Sequence, residues 1–97
     1  MVTAVHYTTE FEEWLDSLRD RQARSRIMVR IERVKEGNLG DHKFFDGIGE
    51  LRLVFGPGYR VYFVRQGDKV VILLCEGDKT SQSRDVERAK ELAKGVG

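Results

Sequence analysis

Four side chains in the middle of the sequence are of the types that bind phosphodiesters: Glu50, Arg52, Arg60 and Tyr62. They alternate with apolar residues in segments 50–55 and 59–64, so a two-stranded hairpin would place all four on one face. Guanidinium groups donate paired hydrogen bonds to phosphate oxygens, and a tyrosine ring can stack on an unpaired base. The pattern is consistent with a surface that binds a nucleic-acid backbone. The same residues are also explained if Glu50 pairs with Arg52, Tyr62 packs and Arg60 is a solvated strand residue.

Two turns set the expected register of the strands. If Gly56-Pro57-Gly58 forms a three-residue loop, the cross-strand pairs on this face are Arg52–Tyr62, Val54–Arg60 and Glu50–Val64. A two-residue turn at Gly67-Asp68 then places Cys75 opposite Arg60. Four apolar residues of the predicted strands form a floor behind these side chains: Val54, Val64, Val71 and Leu73. This floor needs to be covered, either by the C-terminal helix or by a segment of a partner.

Two amphipathic helices precede the strands. Thr9 and Glu12 have the spacing of a capping box, and the apolar stripe of the first helix is Phe11, Trp14, Leu15 and Leu18. The second helix is predicted over about Asp20 to Glu36, stopped by Gly37-Asn38, and its apolar stripe is Ala23, Ile27, Ile31 and Val34. The first helix has an acidic exterior and the second a basic one, which favours an antiparallel helical hairpin.

The remaining elements complete an α+β fold. Val2 to Tyr7 reads as a first strand, Lys43 to Phe45 as a short edge strand, and Lys69 to Cys75 as a central strand that is apolar on both faces. Thr80 to Lys94 has the period of a helix. The predicted order is β-α-α-β-β-β-α with a short extra edge strand, in which the helical hairpin covers one face of an antiparallel sheet.

Composition excludes several classes of protein. The 97 residues allow one domain over 1–97, and the net charge of +1 is not that of a strongly basic nucleic-acid binder. One cysteine and two histidines exclude an internal disulfide framework and an ordinary structural zinc site. The longest apolar run, 70–75, is far below the roughly 18 residues of a membrane span. We therefore expect a soluble cytoplasmic protein.

Several motifs resemble the RelE/ParE toxin superfamily, and within it the HigB-like branch of addiction-module killer proteins. The resemblance covers nearly the whole chain in order. Its motifs are Phe11-x-x-Trp14-Leu15, Arg26-x-x-x-Arg30-Ile31, Gly37-Asn38-x-Gly40-Asp41, Glu50-Leu51-Arg52, Gly56-Pro57-Gly58-Tyr59-Arg60-Val61-Tyr62 and Gly77-Asp78-Lys79-x-x-Gln82.

The resemblance implies the toxin of a bacterial type II toxin–antitoxin system. RelE and HigB members cut mRNA in the ribosomal A site without a metal or other cofactor: the ribose 2′-hydroxyl attacks the adjacent phosphate and the 5′-oxygen leaves. By position, Arg52, Arg60, Lys79 and Glu50 are the candidate catalytic residues. Tyr62, Gln82, Arg30 and His42 are the candidate RNA contacts. The catalytic tyrosine of RelE's C-terminal helix has no counterpart, and Glu76 stands where the branch usually has glycine.

The same resemblance implies the partners. These are a cognate antitoxin with a helix-turn-helix domain, the ribosome and its mRNA, and operator DNA only through the toxin–antitoxin complex. A ParE-like inhibitor that acts on DNA gyrase by protein contacts alone is the alternative activity, since the acid–base tyrosine is missing. A third possibility is an interaction module of the same fold that has lost toxicity.

Overall fold

The structure, a computed structural model, describes residues 4–76 and 82–96, except the side chains of Gln82 and Ser83. Eight elements follow in chain order: β1 Ala4–Tyr7, α1 Thr9–Ser17, α2 Arg21–Lys35, β2 His42–Phe45, β3 Ile48–Arg52, β4 Arg60–Gln66, β5 Lys69–Glu76 and α3 Gln82–Lys94. In this part of the chain, no helix combines the length and apolar character needed to span a membrane.

The five strands form one sheet in the order β1-β5-β4-β3-β2. Neighbours from β5 to β2 are antiparallel, as predicted, and β2 lies at one edge. The pair of β1 and β5 is parallel, so the sheet is mixed. The expectation of a wholly antiparallel sheet is corrected on this point: α1 and α2 follow β1 directly, and β1 lies at the edge beside the last strand. The predicted α+β class is confirmed.

Side-chain caps fix the ends of the two N-terminal helices. The Thr8 hydroxyl accepts a hydrogen bond from the Phe11 amide, so α1 is capped by Thr8 rather than by Thr9. Asp20 caps α2 through the amides of Gln22 and Ala23. At the other end of α2, Gly37 has a φ of +89°, which a residue without a Cβ adopts at little cost. The chain therefore leaves α2 where the sequence predicted.

Each face of the sheet has its own core. On one face, α1 and α2 bury the predicted stripe of α2 against apolar residues of β3, β4 and β5, among them Leu51, Phe63 and Ile72. On the other face, α3 places Ala89 over a second cluster, which contains Ile48, Tyr62, Val64, Val71, Leu73 and Leu74. The C-terminal helix is thus the predicted cover of this floor. Val54 is the exception, since it is 95% exposed.

The β3–β4 hairpin has a longer loop than predicted. Leu53 and not Phe55 pairs with Tyr59, as its amide donates to the Tyr59 carbonyl at 3.0 Å. The loop therefore spans 54–58, and the register moves by two residues, so that Glu50 faces Tyr62 and Arg52 faces Arg60. A shift of two keeps every side chain on its predicted face. The predicted faces are confirmed and the three predicted pairs are wrong.

A β-bulge separates β5 into two halves. Gln66 pairs with Lys69 across the Gly67-Asp68 turn as predicted, and this register holds as far as Phe63 and Ile72. Tyr62 then pairs with Leu74, leaving Leu73 as the extra residue. Beyond the bulge Arg60 faces Glu76, and Cys75 faces Val61 in the α1–α2 core. The expectation that Cys75 lies opposite Arg60 is therefore wrong by one residue.

Gly49 is required by the ring that lies over it. Gly49 is the cross-strand partner of Phe63, and a Cβ at Gly49 would lie 2.3 Å from the Phe63 Cζ. Since Phe63 is fully buried, the ring cannot move without disturbing the core. Gly49→Ala is expected to lower the free energy of unfolding by about 1–3 kcal/mol, as overpacking does.

Chemical denaturation of both variants measures this effect, with Gly95→Ala as the control. A Cβ at Gly95 meets the Leu92 carbonyl at an ordinary 3.5 Å, so its unfolding free energy is expected to change by less than about 0.5 kcal/mol. The additional change Phe63→Leu in the Gly49→Ala variant is expected to recover part of the loss. Equal stability of the two single variants would contradict the packing described.

Candidate functional site

A row of charged side chains crosses the three inner strands of the sheet at one of their ends. Arg52 on β3, Arg60 on β4 and Glu76 on β5 are successive cross-strand partners, so they lie on one face, the face that α3 partly covers. The hairpin thus brings two of the predicted catalytic residues together as direct neighbours. Like charges facing each other cost stability unless something neutralises them.

Two carboxylates accompany the arginines. Asp41 Oδ1 lies 3.5 Å from Arg52 Nη2, and Glu50 Oε1 lies 3.6 Å from Arg60 Nε. The arginines also line one shallow cleft of about 230 Å³, together with Leu53, Val54, Gly58 and Tyr59. The Arg60 side chain is only 19% exposed, whereas that of Arg52 is 47% exposed. The cleft therefore offers one largely buried and one more exposed guanidinium to an anion.

Glu50 lies beneath this cleft. Among the described residues it is the one charged side chain in the core, with 1% exposure, and neither carboxylate oxygen has a hydrogen-bond partner. Its neutralisation comes from Arg60 and from Lys43, whose Nζ lies 3.6 Å from Oε2. A group so buried has no direct access to a bound ligand. The structure thus does not support the prediction of Glu50 as a catalytic base, and it makes Glu50 a residue that positions Arg60.

Tyr62 is part of the core. It faces Glu50 from β4, is fully buried, and packs in the cluster covered by α3. Burial, followed by the neighbouring Glu50 carboxylate, raises the pKa of Tyr62 to about 12. The ring is therefore packed beneath α3, which was the alternative to stacking on a base, and base stacking by Tyr62 stays a prediction.

The raised pKa of Tyr62 predicts a loss of stability in alkali. A tyrosine in the unfolded chain has a pKa of about 10. The unfolded state therefore releases this proton first, and the stabilisation is fully present below pH 10 and is lost as pH rises through the folded pKa of about 12. We expect a decline of about 3 kcal/mol, measured by urea unfolding at successive pH values. Tyr62→Phe lacks the phenol and should lose less over the same interval; identical slopes would contradict the assignment.

Arg30 acts on the cleft from the opposite side of the sheet. It leaves α2, and its guanidinium donates to the carbonyls of Leu39 and Asp41 at 2.6 to 3.1 Å and to the carbonyl of Arg52 at 2.9 Å. Partial burial lowers the pKa of Arg30, and Asp41 opposes that shift. Arg30 therefore ties segment 39–41 to the end of β3, and its contact with RNA stays a prediction.

His42 also lies away from the cleft. It pairs with Leu51 on the face occupied by α1 and α2. Its Nδ1 donates to the Gly40 carbonyl at 2.7 Å, since a carbonyl only accepts, and its ring meets Phe44 edge-on. His42 thus lies on the opposite face of the sheet from the arginines, and its contact with RNA stays a prediction. Lys79 lies outside the described residues, and so does the side chain of Gln82, which belongs to α3.

Glu76 is the site residue that sequence reasoning missed. It is half-buried at the end of β5 and faces Arg60, because the bulge turns it toward the cleft. The sequence carried one signal, a carboxylate where the HigB-like branch usually has glycine. Cys75 takes the buried position instead, where burial raises the pKa of its thiol. In the described ranges, no three His, Cys, Asp or Glu side chains are grouped as a metal site would require.

Comparison with known proteins shows which family the chain belongs to. No family model matches it. An uncharacterized protein of Haemophilus influenzae is 45% identical over 98 residues, which covers 100% of this chain and 99% of that protein. The chain belongs to the same family as that protein.

The fold of this family is shared with a solved toxin. The Escherichia coli toxin RelE, solved in the free state as a double arginine-to-alanine mutant, superposes with a TM-score of 0.71 over 100% of both chains. The sequences are 14% identical, so the likeness shows the fold. The predicted RelE-like architecture is confirmed, and the HigB-like branch stays a prediction.

Proposed function

We propose that this chain is the toxin of a bacterial type II toxin–antitoxin system, of the HigB-like branch, and that it cleaves mRNA on the ribosome. The observation that carries the proposal is the pair Arg52 and Arg60, held opposite each other in one cleft of a RelE-like fold. Two guanidiniums at adjacent positions suit the oxygens of a single phosphodiester. The proposed activity is that of a metal-independent endoribonuclease.

The reaction needs charge stabilisation at phosphorus. As the 2′-oxygen bonds to phosphorus and the bond to the 5′-oxygen breaks, negative charge grows on the two non-bridging oxygens. Arg60 is held by Glu50 and is positioned before substrate binds, while the more exposed Arg52 follows the phosphate. Lys79 supplies a further cation in this proposal, and Gln82 contacts the RNA, both by resemblance to the superfamily.

The reaction also needs a group that takes the 2′-hydroxyl proton. We assign this task to Glu76, because it faces Arg60 and is only half-buried, whereas Glu50 is inaccessible. A positioned carboxylate that accepts this proton contributes about 10²–10⁴ to a rate. The proton lost from the 2′-oxygen passes to Glu76, and the leaving 5′-oxygen takes a proton from water or from the ribosome.

Primer extension on a defined mRNA tests the activity. The purified chain is added with and without 70S ribosomes, and we expect cuts in the A-site codon only when ribosomes are present. A 2′-deoxy nucleotide at the cut position serves as the matched control, since it removes the nucleophile and should abolish that cut alone. Absence of cuts under both conditions, or cuts that survive the 2′-deoxy substitution, would contradict the mechanism.

The proposed partners follow from the proposed function. A small antitoxin with a helix-turn-helix domain binds the chain in the cytoplasm, and the complex rather than the toxin binds operator DNA. Co-expression of the chain with the product of its neighbouring gene is expected to restore growth. Growth arrest that persists beside a soluble neighbouring product would count against this pairing.

Gyrase inhibition without nuclease activity is the second candidate. It is favoured by the burial of Tyr62 and Glu50, which removes two of the predicted catalytic and RNA-binding side chains from the surface. This candidate predicts that the purified chain blocks supercoiling by DNA gyrase and leaves ribosome-bound mRNA intact. Unchanged supercoiling at a large excess of the chain would remove it.

A further inference from the structure

A second concave surface lies beside the arginine cleft. It runs between α2 and the β3–β4 loop and encloses about 320 Å³. Arg26 and Arg33 line it, together with Val29, which is 51% exposed, and Val54, which is 95% exposed. Neither arginine forms an ion pair with a described residue. This surface, hereafter the basic groove, thus combines exposed apolar side chains with cations that lack a partner, as protein-binding surfaces do.

An acidic surface lies on the other side of α2. A hollow of about 300 Å³ separates α1 from α2 there, and its lining includes Glu12 and Asp16 of α1 and Met28 of α2. Glu12 is exposed and has no ion pair within the described part of the chain. Asp16 contacts Arg24 at 3.4 Å, but both side chains are largely exposed, and such pairs contribute little to stability. This surface is hereafter the acidic hollow.

The order of the two surfaces makes the chain complementary to a second copy of itself. Met28 and Arg26 lie on opposite flanks of α2, so the acidic hollow, α2 and the basic groove follow one another across the helical layer. When a second copy is turned face to face about a two-fold axis that runs along α2, this order is inverted, and each acidic hollow lies over the basic groove of the other copy. An axis perpendicular to α2 would oppose carboxylates to carboxylates. Charge complementarity therefore selects the first packing.

The distribution of charge favours a second copy over RNA as the occupant. The net charge of the chain is only +1, so two copies do not strongly repel each other. The charges are nevertheless segregated, since α1 has no basic residue and α2 has six basic residues against the single carboxylate of Glu32. Single-stranded RNA needs exposed rings on which to stack, whereas Phe55, the ring of the basic groove, is covered by the Arg26 guanidinium at 5.2 Å.

We propose that the chain forms a two-fold symmetric dimer, in which Glu12 and Asp16 of each copy pair with Arg26 and Arg33 of the other. Val29 lies between the two flanks on the exposed side of α2, so it meets Val29 of the other copy near the axis. A contact about 22 Å long, the length of α2, and about 20 Å wide buries on the order of 400 Å² of each copy. Stable interfaces bury about twice that area, so we expect the dimer to dissociate on dilution.

The dimer also affects the arginine cleft. Leu53 and Val54 line both the basic groove and the cleft, so a copy seated on the groove narrows the entrance to Arg52 and Arg60. This consequence rests on the proposed function, whereas the dimer itself does not. In the dimer the toxin is held in a less active form, and dilution releases the active monomer.

Sedimentation velocity of the full chain tests the dimer, at protein concentrations from about 1 µM to about 500 µM. We expect one transition from monomer to dimer and no larger species, because a two-fold contact closes on itself. Raising the salt concentration from about 0.05 M to about 0.5 M should weaken dimerisation at least tenfold, since exposed ion pairs are screened. A chain that stays monomeric throughout, or that forms assemblies without a size limit, would overturn the proposal.

Charge reversal locates the contact. Arg26→Glu with Arg33→Glu opposes carboxylates to carboxylates, and Glu12→Arg with Asp16→Arg opposes guanidiniums to guanidiniums, so each double variant alone should dimerise at least tenfold more weakly than the parent. An equimolar mixture of the two double variants restores both contacts, because each acidic surface again meets a basic one, and it should dimerise nearly as tightly as the parent. Arg65→Glu, an exposed residue of β4, should leave dimerisation unchanged. A mixture that remains monomeric would refute this arrangement.

The dimer and the nuclease fail separately. Arg60→Ala is expected to remove cleavage and to leave the dimerisation constant within about twofold, because Arg60 lies in the cleft and not in the basic groove. Cleavage per chain should fall at concentrations at which the parent is dimeric, and it should fall in the mixture of charge-reversed variants but not in either variant alone. Cleavage per chain that is equal in monomer and dimer would overturn the effect on the cleft.

Discussion

Replacing Arg60 by Ala is expected to lower the rate of ribosome-dependent mRNA cleavage by about 10²–10³ and to abolish growth arrest. Arg60 is the less exposed of the two cleft arginines, and Glu50 holds its guanidinium from below. A group fixed before the reaction stabilises the developing charge without reorganising, so its loss acts on the transition state. Single-turnover cleavage measures the rate, and plating after induction measures the arrest.

The controls separate chemistry from folding. Arg60→Ala leaves the buried Glu50 with Lys43 as its one remaining counter-ion in the described structure, so the variant is expected to lose stability. The double variant Arg60→Ala with Glu50→Gln also removes the buried charge of Glu50. It should remain inactive, and its free energy of unfolding should be closer to that of the parent. Arg65→Ala, on the same strand and exposed, should keep full activity. A folded double variant that still arrests growth would refute the role of Arg60.

Replacing Glu76 by Gln is expected to lower the cleavage rate by about 10²–10⁴ while binding of mRNA-programmed ribosomes changes little. The amide has nearly the shape of the carboxylate but does not accept the proton of the 2′-hydroxyl. Because Glu76 faces Arg60 across β4 and β5, its position relative to the cleft is fixed by the sheet.

Glu13→Gln is the matched control for Glu76, since Glu13 is exposed on α1, an element outside the cleft. It should leave both the cleavage rate and the binding of programmed ribosomes unchanged. A Glu76→Gln variant that loses binding of programmed ribosomes in parallel with the cleavage rate would assign Glu76 a role in binding and not in proton transfer. Full activity of that variant would remove Glu76 from the mechanism and direct attention to a proton acceptor on the ribosome.

Periodicity was sufficient to predict the elements, because long apolar stripes such as that of α2 have one consistent interpretation. The faces of β3 and β4 were also predictable, since a half-buried sheet tolerates register shifts of two residues but not of one. The pairing of β1 with β5 could not be predicted, because a short edge strand with alternating exposure carries no information about which strand lies beside it. The length of the β3–β4 loop could not be predicted either, since Gly56 and Gly58 suit turns of several lengths.

The sequence was least informative about the site in two respects: how deeply a side chain is buried, and whether a bulge shifts the register of a strand by one residue. Glu50 and Tyr62 lie on the predicted face, but a sequence does not tell which part of that face α3 covers. His42 was expected in a loop, whereas it begins the edge strand β2, and its sequence carries no signal for the face on which it lies. Glu76 escaped notice because the bulge at Leu73 adds one residue between the turn and the cleft, and Val71 to Cys75 are uniformly apolar on both faces.

That bulge has a consequence for the way relatives of this chain should be aligned. In a central strand, loss of one residue normally inverts all the side chains that follow it. Here the loss of Leu73 would restore unbroken pairing and leave Cys75 and Glu76 on their present faces. Bulge-free relatives should therefore show a one-residue gap inside this strand, and β5 contains a position at which evolution can delete a codon without changing the chemistry of the cleft.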